Sequence, residues 1–294
     1  MFKTYQIADF LNTNKKNVHF HINRLEGTPP AKNIIRPHKH QFCEVFLIKK
    51  GKIKQSVDYK EFDIEENMLF FISEGQLHQW ERNNTVFEGY RLMFTEEFLL
   101  LNQTNKNILF ELIYLNNLYH NPCLKLSNNS ANQINKCFDL MLEEFQLEDK
   151  SEDALRSLLF VLLINIQRLF NTQNCSNSSK HQMVVFKQFI SLLEKHFTEN
   201  HSASFYADSL AVSTRHLNRI IQNIANKSIT DVIQERIVLE AKRLLTYTNF
   251  TISQITDQLG FEDTSYFARY FRKITHLSPS DFRNKESEKY LNLP

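Results

Sequence analysis

The sequence predicts a two-domain α+β protein, in which a β-rich barrel or sandwich is followed by helices and then by an all-α domain. Its length of 294 residues suits two ordinary domains, because single hydrophobic cores stop growing at roughly 250 to 300 residues. Four of the 5 glycines lie before residue 90, which favours a turn-rich first part. After Thr95 the apolar spacing changes from short stretches to helical periodicity.

The composition excludes several classes of protein. No two glycines are close enough to form a glycine-rich phosphate loop. The longest strongly apolar run, 158–164, is far shorter than a bilayer span, and the N-terminus lacks the regions of a signal peptide. The 4 cysteines have no close spacing, which argues against a zinc module or disulfides. We therefore expect a cytoplasmic protein with reduced thiols and no membrane contact.

Short apolar stretches separated by turn signals occupy the first hundred residues. The predicted strands cover residues 18–22, 44–48, 53–57, 68–72 and 88–94. Strands of about five residues at this spacing are typical of an antiparallel barrel or sandwich. We assign residues 1–100 to this barrel.

Residues 101–170 are predicted to be helical. One apolar stripe comprises Ile108, Leu112 and Leu115, and a second comprises Ile134, Phe138, Met141, Leu142 and Phe145. A third helix begins after Ser151, ends near Phe170 and is apolar on several sides. It is expected to pack on the barrel, with a helix–helix dimer contact as the alternative. We assign the region to dimerisation, and the polar segment 171–182 to a linker.

The segment 183–294 contains two similar units of two helices each. Ser204 to Leu210 and Thr214 to Ile224 form the first unit, and Thr251 to Leu259 and Thr264 to Ile274 form the second. The inner stripe of each second helix repeats at an offset of fifty residues, Leu217, Ile220, Ile221 and Ile224 matching Phe267, Tyr270, Phe271 and Ile274. This spacing is that of one buried helix face.

The outward faces of the two second helices are polar and basic. Neither helix contains Asp or Glu after its cap, although residues 181–294 carry 14 basic and 12 acidic residues in total. Arg and Asn side chains can bind base edges, and a helix N-terminus attracts phosphate. Two short helices joined by a tight turn, with the second one basic outside, are typical of a helix-turn-helix that reads the major groove of DNA.

Local signals support the two units. Ser213 and Asp263 suit the N-caps of the second helices. Gly260 lies where the left-handed conformation is commonly needed after a helix, whereas the first unit has Ala211 there, so its turn is expected to close in a different geometry. A helix from Thr230 to about Thr246 is predicted to connect the units and to hold both second helices at a fixed separation.

The same segment resembles the AraC/XylS family of bacterial transcription regulators. The residues that carry the resemblance are Arg236-Ile237, Ala241 to Leu245, Ile252, Ile255, Leu259 to Phe261, Ser265 to Phe267, Arg269 to Lys273 and Leu277 to Arg283. The resemblance implies a seven-helix unit with two helix-turn-helix motifs. By position, it implies DNA contacts at Thr214, Arg215, Asn218, Arg219, Thr264, Ser265, Tyr266, Ala268, Arg269, Arg272 and Lys273.

The first domain carries a histidine pattern similar to the cupin arrangement, which implies a cupin-like barrel. His38, His40 and Glu44 share one strand parity, and His78 follows on a later strand. Three His and a Glu could bind Fe, Mn, Ni or Zn. They could also line a polar effector pocket together with Trp80, or be ordinary structural residues. Glu74 stands where cupins usually have Pro. Of these interpretations we adopt the effector pocket, and we expect no bound metal or other cofactor.

These observations predict a one-component transcription regulator that is not an enzyme, since no Ser/His/Asp set has local support. A small molecule bound in the cupin-like domain would change how the C-terminal domain binds promoter DNA. The expected partners are promoter DNA, the effector, a second copy of the chain and, for an activator, RNA polymerase. Two alternatives remain: a cupin metalloenzyme with a DNA-binding appendage, and a regulator that needs no effector.

Overall fold

The computed structural model describes residues 4–11, 17–26, 37–80, 87–101, 112, 122–174 and 180–291. The chain divides into two compact units, one of residues 2–175 and the other of residues 176–294. The division falls within the polar segment that was predicted to be the linker. The first unit is rich in strands and the second is helical, so the predicted α+β class with two domains is confirmed.

Three sheets are formed by the described residues of the first unit. A five-stranded antiparallel sheet has the order β10-β7-β4-β9-β2, a three-stranded sheet has the order β6-β5-β8, and β1 pairs with β3 in parallel. The strands are β1 (Thr4–Tyr5), β2 (Phe20–Glu26), β3 (Lys39–His40), β4 (Cys43–Lys50), β5 (Ile53–Val57), β6 (Lys60–Ile64), β7 (Met68–Ile72), β8 (His78–Trp80), β9 (Glu88–Phe94) and β10 (Cys123–Lys125).

All five predicted strands are present, and the differences have simple causes. The first begins later than predicted, at Phe20, and extends to Glu26, because it pairs with β9 along its whole length. The pattern did not reveal β6, in which only Ile64 is fully buried, so no alternating apolar signal marks it. β10 is three residues long and owes its position to its pairing with β7.

The five-stranded sheet is buried on both faces. Along β4, Val45 and Leu47 lie in the core shared with the helices that follow, whereas Phe46 and Ile48 lie in the core shared with the three-stranded sheet. Residues two apart on a strand share a face, so Glu44 is on the inner face with Phe46 and Ile48. A charged residue is thereby placed in the interior of the barrel.

Four helices are described in the first unit: α1 (Ile7–Phe10), α2 (Glu96–Leu100), α3 (Asn128–Gln146) and α4 (Glu152–Asn174). The predicted stripe of α3 is buried from Ile134 to Leu142. The third predicted helix does begin after Ser151, but it continues four residues beyond Phe170 to Asn174. Of the remaining predicted stripe, Ile108 and Leu115 lie outside the described residues, and Leu112 is buried.

The second unit contains seven described helices: α5 (Lys180–His196), α6 (Ala203–Ser209), α7 (Thr214–Ala225), α8 (Ile229–Tyr247), α9 (Ile252–Gln258), α10 (Thr264–Thr275) and α11 (Pro279–Leu291). Because α5 begins at Lys180, the predicted linker is shorter than residues 171–182. Across the described ranges, no helix combines the length and the apolar character that a membrane span requires.

Candidate nucleic-acid interface and buried polar cluster

The helix pairs α6–α7 and α9–α10 form two helix-turn-helix units with the same turn geometry. Ala211 has φ +54° and Gly260 has φ +72°, so both occupy the left-handed region. In each turn this residue donates its N–H to the carbonyl three residues earlier, and the next residue donates to the carbonyl five residues earlier, at distances of 3.0 to 3.1 Å. The expectation that the first turn closes differently was therefore wrong.

The two turns differ in their surroundings. A Cβ atom on Gly260 would lie 1.8 Å from the carbonyl oxygen of Thr198, so the approach of another backbone segment requires glycine there. Ala211 is exposed, and its methyl group can point into solvent. The second turn also has one more residue before its cap, Glu262. Steric conflict, rather than the φ angle alone, separates the two positions.

The second helices of the units, α7 and α10, are capped as the sequence predicts; we call them the recognition helices. The Ser213 side chain accepts from the backbone N–H of His216 at 3.2 Å, and that of Asp263 accepts from the N–H of Tyr266 at 2.6 Å. Their predicted inner stripes are buried at Leu217, Ile220, Ile221, Phe267 and Phe271, while Ile224, Tyr270 and Ile274 are half-buried.

The outer faces of the recognition helices are exposed and carry no carboxylate. Of the residues singled out from the sequence, eight are exposed, namely Thr214, Arg215, Arg219, Ser265, Tyr266, Arg269, Arg272 and Lys273. Thr264, Ala268 and Asn218 are half-buried. The exposed arginines and lysine give each helix a positive surface that a DNA phosphate or base edge can reach.

Asn218 also has a partner inside the domain. Its Oδ1 accepts a hydrogen bond from the backbone N–H of Ile229, the first residue of α8, at 3.0 Å. At the offset of fifty residues, the second unit has Ala268 and Pro279, and proline has no N–H to donate. The Asn218 side chain thus satisfies a helix terminus that its counterpart does not need to satisfy. The sequence reasoning missed this role.

The internal repeat extends into a third helix. Each recognition helix ends at a left-handed residue, Asn226 with φ +53° and His276 with φ +62°. The next helix then begins at a serine whose hydroxyl accepts from the N–H of an aspartate three residues later, at 3.1 Å in α8 and in α11. The matching Ser-x-x-Asp spacing in the sequence was the signal for this extension.

Two arginines of the family signature are buried in α8 and have structural roles. Arg236 donates from Nε to Glu194 of α5 at 2.8 Å and from Nη1 to Glu240 at 3.1 Å. Its guanidinium also lies 3.8 Å from the ring centroid of Phe197. Arg243, 3% exposed, contacts Glu240 at 3.2 Å. Arg236 thus joins α5 to α8, and Arg243 contacts Glu240 within α8, so both have roles inside the domain.

The barrel brings together all the polar residues that were singled out in the first domain. His38, His40, Glu44 and His78 are each at most 2% exposed. The backbones of His38 and His78 exchange hydrogen bonds of 3.0 and 3.1 Å. Trp80 is 3% exposed, and its ring centroid is 4.8 Å from that of Phe46. We call the side chains of His40, Glu44, His78 and Arg91 the buried polar cluster.

Arg91 was not anticipated from the sequence, because only the pairing of β9 with β4 places it beside Glu44. It is 8% exposed and donates from Nε to Glu44 Oε1. Burial by itself would raise the pKa of Glu44, but the Arg91 charge and His40 outweigh it and lower the pKa to about 2. Burial, followed by the charges of His40 and His38, holds the pKa of His78 well below its ordinary value.

Several buried polar atoms around this cluster have no hydrogen-bond partner among the described residues. Among them are Glu44 Oε2, His78 Nε2, both ring nitrogens of His40, Arg91 Nη2, Trp80 Nε1, and both amide atoms of Gln55. Gln55 pairs with Trp80 across β5 and β8. Such groups are normally satisfied by protein, water or a ligand. Their concentration in one interior region is typical of a site that receives a polar molecule or an ion.

Comparison with known families agrees with this geometry. A model of the AraC-like ligand binding domain matches residues 19–164, and a model of a helix-turn-helix domain matches residues 206–285. The first match covers the barrel with α3 and most of α4. The second begins in α6 and ends in α11, so it includes both recognition helices and the connecting helix.

Relatives cover nearly the whole chain. The HTH-type transcriptional activator RhaR of Enterobacter sp. (strain 638) is 21% identical over 254 residues, which are 86% of this chain and 88% of the relative. RhaS of Mannheimia succiniciproducens is 26% identical over 282 residues, covering 94% and 97%.

Two solved structures are also similar. ToxT from Vibrio cholerae is 15% identical with a TM-score of 0.41, covering 91% of this chain and 98% of that one. The DNA-binding domain of AdpA is 18% identical with a TM-score of 0.34, covering 37% and 97%. Because the two family models together account for both structural units, this chain belongs to the AraC/XylS family of transcription regulators.

Proposed function

We propose that this regulator binds promoter DNA with both recognition helices and that a small molecule in the barrel alters that binding. The observation that carries the proposal is the pair of matched helix-turn-helix units, whose exposed faces contain five basic residues and no acid: Arg215, Arg219, Arg269, Arg272 and Lys273. A single basic helix face would often be only solvated. Two units with the same inner stripe and the same outer chemistry favour DNA.

Within this interface the residues have different roles. We assign contacts with bases or backbone to the exposed residues of the recognition helices, and contacts with the sugar–phosphate backbone to Thr214 and Thr264 at the helix N-termini. Ala268 leaves room for a thymine methyl group. Asn218 retains its amide NH2 group for DNA, since Oδ1 is the atom that bonds to another described residue. The connecting helix α8 would let the units enter successive major-groove segments about 34 Å apart.

The effector site is assigned to the interior of the barrel, lined by His38, His40, Glu44, His78 and Trp80. The unsatisfied buried atoms in this region support the assignment, because a polar ligand could complete their hydrogen bonds. An effector can shift the regulator only if it binds one arrangement of the protein more tightly than the other. We assign no catalytic role to the site.

The regulator is proposed to act as a homodimer through the exposed side of α4. Val161 is 50% exposed and Ile164 is 40% exposed, although they lie three residues apart on one helix face. An apolar pair on a helix that is otherwise well covered fits a second copy of the same helix in an isologous contact. If Val161→Glu with Ile164→Glu leaves the molar mass measured by light scattering unchanged, this contact is wrong.

The protein is proposed to activate transcription, because the named relatives are transcriptional activators. It would act in the cytoplasm of a bacterium, with RNA polymerase as a further partner. The test uses purified full-length protein and its own upstream region. Footprinting should show protection on one face of the DNA over two adjacent major-groove segments. Protection of a single segment, or none above the level of unrelated DNA, would contradict the proposal.

A truncated protein and two barrel variants test the two alternative functions, a regulator that needs no effector and a metalloenzyme. A regulator without an effector would keep full promoter regulation after truncation to residues 183–294. A cupin metalloenzyme with a DNA-binding appendage would turn over a substrate in a reaction that is lost in His40→Ala and Glu44→Ala. Metal content alone does not identify an enzyme, since a bound ion can also be structural or part of an effector site.

A further inference from the structure

We propose that the barrel binds one divalent transition-metal ion through His40 Nε2, Glu44 Oε2 and His78 Nε2, and that His38 is not a ligand. The cupin arrangement implies a metal ion in this region, and three of its four residues fit one. The inference therefore departs from both expectations of the sequence, a site without metal and a motif whose four residues act together. It does not depend on DNA binding or on the identity of an effector.

The ligand atoms converge from three strands of different sheets. His40 lies on β3, Glu44 on β4 and His78 on β8, and one ligand atom of each lies within 4.8 Å of the others. Glu44 Oε2 is 3.5 Å from His40 Nε2 and 3.9 Å from His78 Nε2. Two ligands bound at about 2.1 Å to one ion are separated by roughly 3 to 3.4 Å. A small closure of the three side chains would therefore complete the site.

The second nitrogen of His78 sets the direction of its lone pair. Nδ1 lies 3.1 Å from the carbonyl oxygen of Gln76, an atom that can only accept a hydrogen bond. Nδ1 therefore carries the proton, and Nε2 presents a lone pair towards the carboxylate of Glu44. Two lone pairs facing each other in a buried place repel unless a cation or a hydrogen-bond donor lies between them. A ligand histidine anchored to a backbone carbonyl through its other nitrogen is the usual arrangement at metal sites.

Arg91 determines how Glu44 can take part. Its guanidinium binds Oε1, so only Oε2 remains for an ion, and Glu44 must act through one oxygen. Because an arginine stays charged in proteins, a bound metal would share the carboxylate with a second cation. We therefore expect a weaker affinity than the same ligands would have without Arg91.

His38 lies beside the ligand group without joining it, although its ring centroid is only 4.2 Å from that of His78. Its backbone forms both hydrogen bonds of a bridge with His78, and its ring centroid lies 5.4 Å from that of Tyr5 and 5.6 Å from that of Phe10. Its nitrogens do not belong to the group of ligand atoms within 4.8 Å. The residue thus packs the N-terminal segment against the barrel and orients β8.

The ligand types define the class of ion. Two imidazole nitrogens with one carboxylate oxygen favour Zn²⁺, Fe²⁺, Co²⁺ or Ni²⁺ over Mg²⁺ and Ca²⁺, which prefer oxygen ligands. With three protein ligands, such an ion would have a position left for a small molecule. On the function proposed above, that molecule would be the effector.

The experiment titrates chelator-treated full-length protein with Co²⁺. Protein-bound Co²⁺ absorbs visible light, and a nearby paramagnetic ion quenches the fluorescence of Trp80, the only tryptophan of the chain. We expect one equivalent to bind, and Zn²⁺ to displace it. Glu44→Gln and His78→Gln should weaken binding at least tenfold, whereas the matched variant His38→Gln should bind within about threefold of the wild type. Far-ultraviolet circular dichroism verifies that each variant is folded.

Each outcome decides the proposal. Wild-type protein that binds no Co²⁺ up to millimolar concentration overturns it, whether or not the variants fold. Folded Glu44→Gln or His78→Gln protein that binds as tightly as wild type also overturns it. A loss in folded His38→Gln equal to that in His78→Gln would make His38 a fourth ligand and refute the assignment. Arg91→Gln should bind Co²⁺ more tightly than wild type, and weaker binding would contradict the competition described above.

Discussion

The Oδ1 atom of Asn218 accepts the backbone N–H of Ile229 at 3.0 Å, so a residue of the first recognition helix satisfies the N-terminus of the connecting helix. We predict that Asn218→Ala destabilises the protein by about 1 kcal/mol, the usual cost of losing a helix-capping hydrogen bond. Denaturant unfolding measures the change. Ala268→Asn is the matched control and should gain no stability, because Pro279 has no N–H; equal and opposite effects would refute the role.

The two turns predict opposite responses to exchange of Gly and Ala. Gly260→Ala should destabilise the second unit by more than the roughly 1 to 2 kcal/mol that a left-handed alanine costs, because its Cβ would meet the carbonyl oxygen of Thr198. Ala211→Gly should be neutral or slightly stabilising, since it removes the same strain without any conflict. Thermal unfolding of both variants tests the difference, and similar shifts would contradict it.

Arg269 is exposed on the second recognition helix, where it can reach a base edge. Arg269→Ala should weaken binding to the promoter site by about 1 to 3 kcal/mol and relax its sequence preference. Fluorescence anisotropy on specific and scrambled DNA at several salt concentrations provides the measurement. Arg168→Ala, an exposed arginine in the first unit, is the control. An equal loss on every DNA sequence would place Arg269 on phosphate.

Arg236 connects Glu194 and Glu240 inside the DNA-binding unit. Arg236→Met should cost about 3 kcal/mol, at the lower end for breaking a buried ion pair, because Glu194 is still 35% exposed. Denaturant unfolding should show the loss, and DNA affinity measured on the folded fraction should be unchanged. A fall in affinity with unaltered stability would instead indicate a direct contact with DNA.

The stability of the second unit should depend on pH through the side chain of His201. Burial lowers its pKa below the ordinary value of 6.5, although its Nε2 donates to the carbonyl of Leu259 at 2.9 Å. A histidine whose pKa is depressed by folding binds protons more readily when unfolded, so stability is complete above pH 6.5 and falls as the pH decreases below it. His201→Gln should flatten the pH dependence of unfolding between pH 7 and pH 5; an unchanged slope would contradict this.

The sequence determined those features that depend on residues close together in the chain. The alternating stretches located the strands, and the offset of fifty residues located both helix-turn-helix units with their caps. The parity of His38, His40 and Glu44 predicted that they face the same way, and all three are buried in the barrel, although they do not lie on one strand. These predictions succeeded because helix and strand periodicity and end-capping are local properties. The sequence did not reveal β6, because it lacks an alternating apolar pattern, or β10, because its position depends on pairing with β7.

Only the tertiary structure decided which of these residues meet. The register of β9 against β4 brought Arg91 to Glu44, and the approach of Thr198 made glycine necessary at position 260. The packing of α7 against α8 also placed Asn218 Oδ1 where it accepts a hydrogen bond from the N-terminus of α8. In the barrel, the tertiary structure left His38 outside the group of ligand atoms around Glu44. Each of these contacts joins segments that are distant in sequence or belong to different elements. These contacts depend on how the elements pack against one another, and the apolar periodicity of a single segment cannot predict them.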